Sequence, residues 1–409
     1  MKNIWIFAIM ALLTFAVFVF PLCSCSLKNR SNHIITTHEL TEDFNKIQIN
    51  TSVSNITFEL SDNDSATVVC REKADRKHNV TVADGTLSIE KTDTKKWYHI
   101  FNFDFSVPSV TVYLPRAEYT SLQIKSSTGN ITIPEGFNFT DGIGIKGSTG
   151  SISCSASANG TVKIDNSTGN VSIRNASASK YELDTSTGMT TLDNVTCESI
   201  VAVGTTGDFF LLDSEISESV KISRDTGDIE IRNVSARHCN LTLTTGTTDI
   251  SNLKCESLSS VGDTGKIIVS DIEASGNISI ARSTGNSTLN SIACNGNISM
   301  VSTTGKQELK NTTCANLNIV ADTGKLVMND VIANGSMTIE RSTGDVDFTR
   351  CDAYEITIKT TTGDVKGTLL SDKIFTVKTS TGKTNIPESA SGGACKITTS
   401  TGDIEITIG

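Results

Sequence analysis

The chain has 409 residues, with 35 basic against 45 acidic side chains and a net charge of −10. The two signs are interspersed and form no basic stripe, which argues against a nucleic-acid partner. Eleven cysteines occur without a C-x-x-C pair or a Cys/His cluster of zinc spacing, so no metal and no cofactor is expected.

Residues 1–25 read as a targeting segment. Ile4 to Leu22 carry no charge, Lys2 precedes them, and Lys28 and Arg30 follow. Two anchors fit. Leu22-Cys23-Ser24-Cys25 resembles a bacterial lipoprotein cleavage box in which Cys25 becomes the lipid-modified first residue, although Cys23 stands where a small or branched residue is usual. Alternatively, the 19 apolar residues suffice to span a bilayer uncleaved. The lipoprotein reading is slightly preferred. Both attach the protein to the cell membrane and place everything after about residue 26 outside it.

Residues 26–118 alternate like strands at Phe44 to Ile49, Val53 to Leu60, Ala66 to Val69, Leu87 to Ile89 and Val110 to Leu114. They read as a β-rich cap over an edge that would otherwise invite pairing. The aromatic run from Trp97 to Phe105 reads as the core of that cap, in preference to a membrane-facing loop. The histidines (His33, His38, His78, His99, His238) are scattered, and nothing in the sequence pairs them with a nucleophile.

From residue 119 to 409 one signal dominates. Thr-Gly recurs fifteen times, and Thr128-Gly129, Thr187-Gly188, Thr245-Gly246, Thr304-Gly305, Thr362-Gly363 and Thr401-Gly402 are members of the series. After a first step of 21 the spacing is 19 or 20. Such a period marks one supersecondary unit stacked on copies of itself. Five residues before the glycine the column is apolar (Ile124, Ile164, Ile222, Ile280, Ile339, Ile397), broken only at Ala202 and Ser260. Two and four residues after it come pairs such as Ile229/Ile231 and Ile404/Ile406. Nine residues after it stand small residues, among them Ala178, Cys197, Cys255, Cys294 and Cys314. Two alternating strands and a tight return in about 20 residues make one coil of a single-stranded β-solenoid, a β-helix. Fifteen coils stacked at roughly 4.8 Å would give a rod of about 70 Å.

Glycine supplies the positive φ that a sharp turn between strands needs. For the threonine before it, a hydroxyl ladder inside the turn is preferred over a flat solvent-facing array that could bind ice or sugar. No proline falls between Pro134 and Pro387, as an unbroken backbone ladder demands.

The residues also resemble a known family. The membrane segment, the Phe44 to Ile49 strand, VADGTLSIE (Val82 to Glu90), VTVYLP (Val110 to Pro115), SLQIKSSTGNITIP (Ser121 to Pro134) and the serial S-T-G-[DN]-[IV] repeats together resemble the bacterial DUF4097 family of β-strand-repeat proteins, often labelled adhesins. The resemblance covers nearly all of residues 35–409. It implies a right-handed β-helix-like fold at the cell envelope, and some relatives are tied to envelope-stress sensing. It offers no catalytic motif to carry over. This chain departs from the pattern in its number of coils and its cysteine-bearing corner.

Reactive chemistry is sparse. Cys294 and Cys314 fall in adjacent coils, at a separation a disulfide could bridge, but alanine is the common alternative in that column and favours small buried thiols. Asp208, Asp228, Asp345, Asp364 and Asp403 follow the turn glycine, yet Lys266, Lys306, Lys325 and Lys383 share the slot, so solvated turn residues are expected rather than a calcium column. Arg224, Arg282 and Arg341 share the position three before the glycine, about three coils apart and too far to act on one bond. The expectation is therefore a non-enzyme: a membrane-anchored adhesin-like or scaffold protein of the bacterial envelope, with a protein or glycan partner at the cell surface. A carbohydrate-active β-helix enzyme is the alternative. The stretch from Lys396 to Gly409 is expected to form an open C-terminal edge for partner strands, dispensable for the fold.

Overall fold

The computed structural model describes residues 33–73, 76–91, 107–389 and 391–409. The targeting segment with Cys25, and the aromatic run with His99, lie outside them. Thirty-two strands, numbered β1 to β32 in chain order, join one sheet, and no helix occurs among the described residues. The architecture is an all-β solenoid of about 14 turns.

Register proves the stacking. Ile124 pairs with Ile145, which pairs in turn with Ile164 and then Leu183, and the column continues through Ala202, Ile222, Leu241, Ser260 and Ile280. Ile164, Ile222 and Ile280 are all fully buried, so equivalent side chains share one interior. A single coil would leave these faces in water; each is closed only by the coils on either side. Residues 33–409 form one compact unit, and strands on either side of residue 118 pair directly in that sheet.

The coil order departs from chain order at both ends. At the N-terminal end, β2 (Lys46–Val53) and β3 (Asn55–Leu60) form a coil against β8 (Glu118–Thr128) and β9 (Ile131–Ile133). Outside that coil lie β6 (Thr86–Lys91) and β7 (Ser109–Leu114), which come later in the chain. Beyond them, β5 (His78–Ala83) pairs antiparallel with β6, and β4 (Ala66–Lys73) pairs antiparallel with β7 and with β1 (His33–Leu40). Val53-Ser54 holds the place of Thr-Gly in the inner coil, because Val53 pairs with Thr128. This is a degenerate repeat that the Thr-Gly beat does not reveal.

At the C-terminal end the exchange is repeated. The last strands, β31 (Gly393–Thr401) and β32 (Ile404–Ile408), lie between β27 (Val346–Thr362) with β28 (Val365–Leu369) on one side and β29 (Lys373–Thr381) with β30 (Thr384–Asn385) on the other. Two adjacent glycines let the chain slip into that slot. A Cβ on Gly393 would stand 1.7 Å from the Tyr354 carbonyl oxygen, and one on Gly392 would stand 1.8 Å from that of Asp372. Residues 396–409 are thus an internal coil and not an open, dispensable edge. The hydrophobic effect accounts for the order. Cys395, Ile397, Ile404 and Ile406 of the inserted coil are fully buried, whereas the coil left outside contributes half-buried Phe375 and Val377 and an exposed Thr384.

Candidate functional site

Three ladders build the solenoid wall, and they decide what it can present. At the first corner every turn glycine has positive φ, from 122° to 151°. A Cβ on Gly246 would lie 1.7 Å from the carbonyl oxygen of Gly227 in the neighbouring coil, so both conformation and close approach require glycine. The N–H of every turn glycine but Gly382 donates to the threonine carbonyl of a neighbouring coil, as Gly246 does to Thr264 at 3.0 Å. The threonine side chains are exposed at Thr128, Thr187, Thr245, Thr304, Thr362 and Thr401 alike. Hydroxyls inside the turn were expected there; instead the backbone carries the ladder and the hydroxyls face out.

The residue after the glycine does more than meet solvent. Asp208 Oδ1 accepts the Asp228 N–H at 2.9 Å, Asp228 Oδ1 accepts the Thr247 N–H at 2.7 Å, and Asp403 Oδ1 accepts the Lys383 N–H at 2.7 Å. A carboxylate or amide in one coil therefore caps an N–H in the next, whichever side chain that next residue bears. Lysine and aspartate share the column for this reason.

At a second corner, six residues after the glycine, ten non-glycine residues adopt left-handed φ of 46° to 56°, from Asn175 to Arg350. Eight of them are Asn or Asp, the types that tolerate this region best. Their side chains bond between coils, as in Asn252 Nδ2 to Asn233 Oδ1 at 2.9 Å and Asn233 Nδ2 to Asp213 Oδ1 at 2.6 Å. That column was present in the sequence as a recurring Asn/Asp and is the signal that could have located this corner.

Arg224, Arg282 and Arg341 point into the solenoid, at 1%, 3% and 4% exposure. Each reaches back across a coil. Arg224 donates to Thr190 Oγ1 at 2.8 Å and Arg282 to Thr248 Oγ1 at 2.6 Å, while Arg341 meets Gln307 Oε1. Gly204 and Gly262 make room for the first two, since a Cβ there would lie 1.8 Å from the guanidinium. Arg224 also lies 5.4 Å from the Phe209 ring centroid, a cation–π contact. Burial pulls the Arg224 and Arg341 guanidinium pKa down to about 10. Buried arginines of this kind cannot act on a polysaccharide lying along the outer wall.

The small-residue column floors two shallow outer grooves of about 630 and 550 Å³, which share Ile216, Ser217 and Ser235. Arg237–Glu256 at 2.8 Å and Lys254–Glu273 at 3.4 Å rim the first. Cys294 and Cys314 are free, buried thiols. Burial pushes the Cys314 thiol up to about 12, which suppresses thiolate chemistry.

A polar cluster at the N-terminal end has no signature in the sequence. Cys70 and Glu72 share the inward face of β4, Ser54 occupies the degenerate turn, and His78 opens β5. His78 Nε2 stands 3.1 Å from Ser54 Oγ, and Nδ1 stands 2.8 Å from Glu72 Oε2. Glu72 Oε2 also accepts the His78 N–H at 2.6 Å, and Thr36 donates to Oε1 at 3.2 Å. His78 is thus paired with a hydroxyl and a carboxylate, although nothing in the sequence pairs the histidines with a nucleophile. Antiparallel pairing of β4 and β5 with the outer coil assembles residues that are scattered from 36 to 78. Ser54 is 0% exposed and Glu72 1%, so the hydroxyl meets no substrate.

Among the described residues, no helix is long and apolar enough to cross a membrane. No curated protein matches the chain. Three solved structures share low likeness with it. A candidate cell adhesion protein from Clostridium sporogenes is 10% identical over 49% of this chain and 99% of its own, with a TM-score of 0.27. A candidate adhesin from Bacteroides fragilis is 14% identical over 92% and 97%, at 0.22. Another from Parabacteroides distasonis is 17% identical over 71% and 97%, at 0.26. The model of the family described as Toastrack DUF4097 matches residues 44–251 and 274–408, which include the inner coils of both exchanged ends. By that match the chain belongs to the Toastrack DUF4097 family.

Proposed function

We propose that the chain is a non-catalytic, membrane-attached solenoid that serves outside the cytoplasmic membrane as an adhesin-like or scaffolding surface of the bacterial envelope. One observation supports the contact surface: among the described residues β29, in the outermost coil at this end, pairs only with β31. Every other turn glycine donates its N–H to the coil on its C-terminal side of the stack; among the described residues, Gly382 of the outermost coil makes no such bond. The edge continues the register of the stacked coils and leaves Phe375 and Val377 half-covered. An extended segment of a partner protein, added as one more strand, matches both features. Adhesion and the sensing of envelope stress are two settings in which the same contact would operate.

The test is an edge variant. Ile374 is 51% exposed and Thr376 is exposed, so Ile374→Lys with Thr376→Lys leaves the fold intact and charges the edge. Capture of a partner from cross-linked bacterial envelopes should fall at least tenfold. Undiminished capture rejects the edge, and recovery of the native protein from the cytosol rejects the placement.

A further inference from the structure

The hydrogen bonds around His78 leave one point where two acceptors meet. Ser54 Oγ lies 2.6 Å from the Val53 carbonyl oxygen, a group that only accepts, so the hydroxyl proton is committed there. The contact with His78 must then run from Nε2–H to Ser54 Oγ. That leaves Nδ1 facing Glu72 Oε2 at 2.8 Å, and a neutral imidazole would set two lone pairs against each other. At that distance a shared proton satisfies both; a metal ion bonded to both would sit to one side and hold them slightly farther apart. The Cys70 sulfur completes a triangle, since the donor atoms of Cys70, Glu72 and His78 all lie within 4.8 Å of one another and all three residues are buried.

We propose that Cys70, Glu72 and His78 form a binding site for a divalent cation of borderline softness, the class to which Zn²⁺ belongs. A thiolate, an imidazole and a carboxylate are the donor types such ions select. Ser54 supplies what a histidine ligand needs behind it: an oxygen that accepts the other ring N–H and fixes the ring with Nδ1 inward. Charge balance supports the exchange. Without metal, a neutral thiol and an imidazole and carboxylate that share one proton sum to zero. Binding releases the thiol proton and the shared proton, and a dication with thiolate, neutral imidazole and carboxylate again sums to zero. A buried site can therefore trade two protons for one divalent ion without acquiring net charge.

The site is closed, so the metal is best offered during refolding. The full chain, denatured and refolded with Co²⁺ as the probe, should hold one ion per chain and show a thiolate-to-cobalt charge-transfer band in the near ultraviolet. Cys70→Ser should lose that band, whereas Cys294→Ser should keep it. Absence of the band in the wild type, or its persistence in Cys70→Ser, overturns the proposal. If Cys70→Ser does not refold by circular dichroism, the wild type decides by itself. Zn²⁺ should slow alkylation of Cys70 at least tenfold in mass-spectrometric mapping, and equal rates with and without Zn²⁺ reject the site.

Discussion

The two ends of the solenoid solve the same problem in different degrees. At each, the outermost coil and the one inside it are exchanged relative to chain order, so the inner coil is hydrogen-bonded on both faces. Fraying such a coil must break two ladders instead of one. Beyond that the ends part. At the N-terminal end antiparallel β5 and β4 occupy the outer edges of β6 and β7; at the C-terminal end β29 stays unpaired on its outer side. A coil can thus be locked in place without its neighbour's edge being closed. At the first kind of end the coil's own edge is covered, and the open edges pass to β5 and β1, each paired on one side among the described residues.

Truncation should show the largest difference. Removing 393–409 takes out a two-sided ladder together with Ile397, Ile404 and Ile406, at about 1.5–3 kcal/mol apiece. Hydrogen exchange should find the coils from 346 onward unprotected, with a marked fall in the denaturation midpoint. Removing β1, which pairs only with β4 and has no fully buried residue, should cost far less. Equal losses would break the comparison.

Single substitutions should grade it. Ile404→Ala, in the inserted coil, should cost about 2–5 kcal/mol in chemical denaturation. Gly402→Ala follows at about 1–3 kcal/mol, for a strained backbone. There φ is 148°, and the new Cβ would stand 2.1 Å from the Gly363 carbonyl oxygen. Ile374→Ala on the outer edge and Thr401→Val in the exposed threonine rank should change stability by no more than about 0.5 kcal/mol. A large loss at Thr401 would restore a structural task to the hydroxyl column.

Legibility followed periodicity. The apolar columns around Gly227 and Gly285 repeat at fixed offsets, so strand, turn and inward face were all readable. The Asn/Asp corner was equally periodic and could have been read. Three features had no periodic signature. Val53-Ser54 lost the Thr-Gly letters while keeping the place of a turn. The guanidinium of Arg282 turned inward because Thr248, 34 residues earlier, offers it an oxygen. The cluster of Ser54, Cys70, Glu72 and His78 exists only because β4 and β5 run antiparallel to the outer coil.

By itself the sequence determined the coil: its length, its glycine corner and the face it buries, since these rest on local turn geometry and on alternation repeated many times over. Tertiary structure alone decided which coil lies outermost, and therefore where an edge is left to pair. Coils of one cross-section can stack in more than one order. The choice among orders rests on small differences in apolar content between neighbours such as 373–385 and 393–409, and it takes effect only when they compete for the same slot.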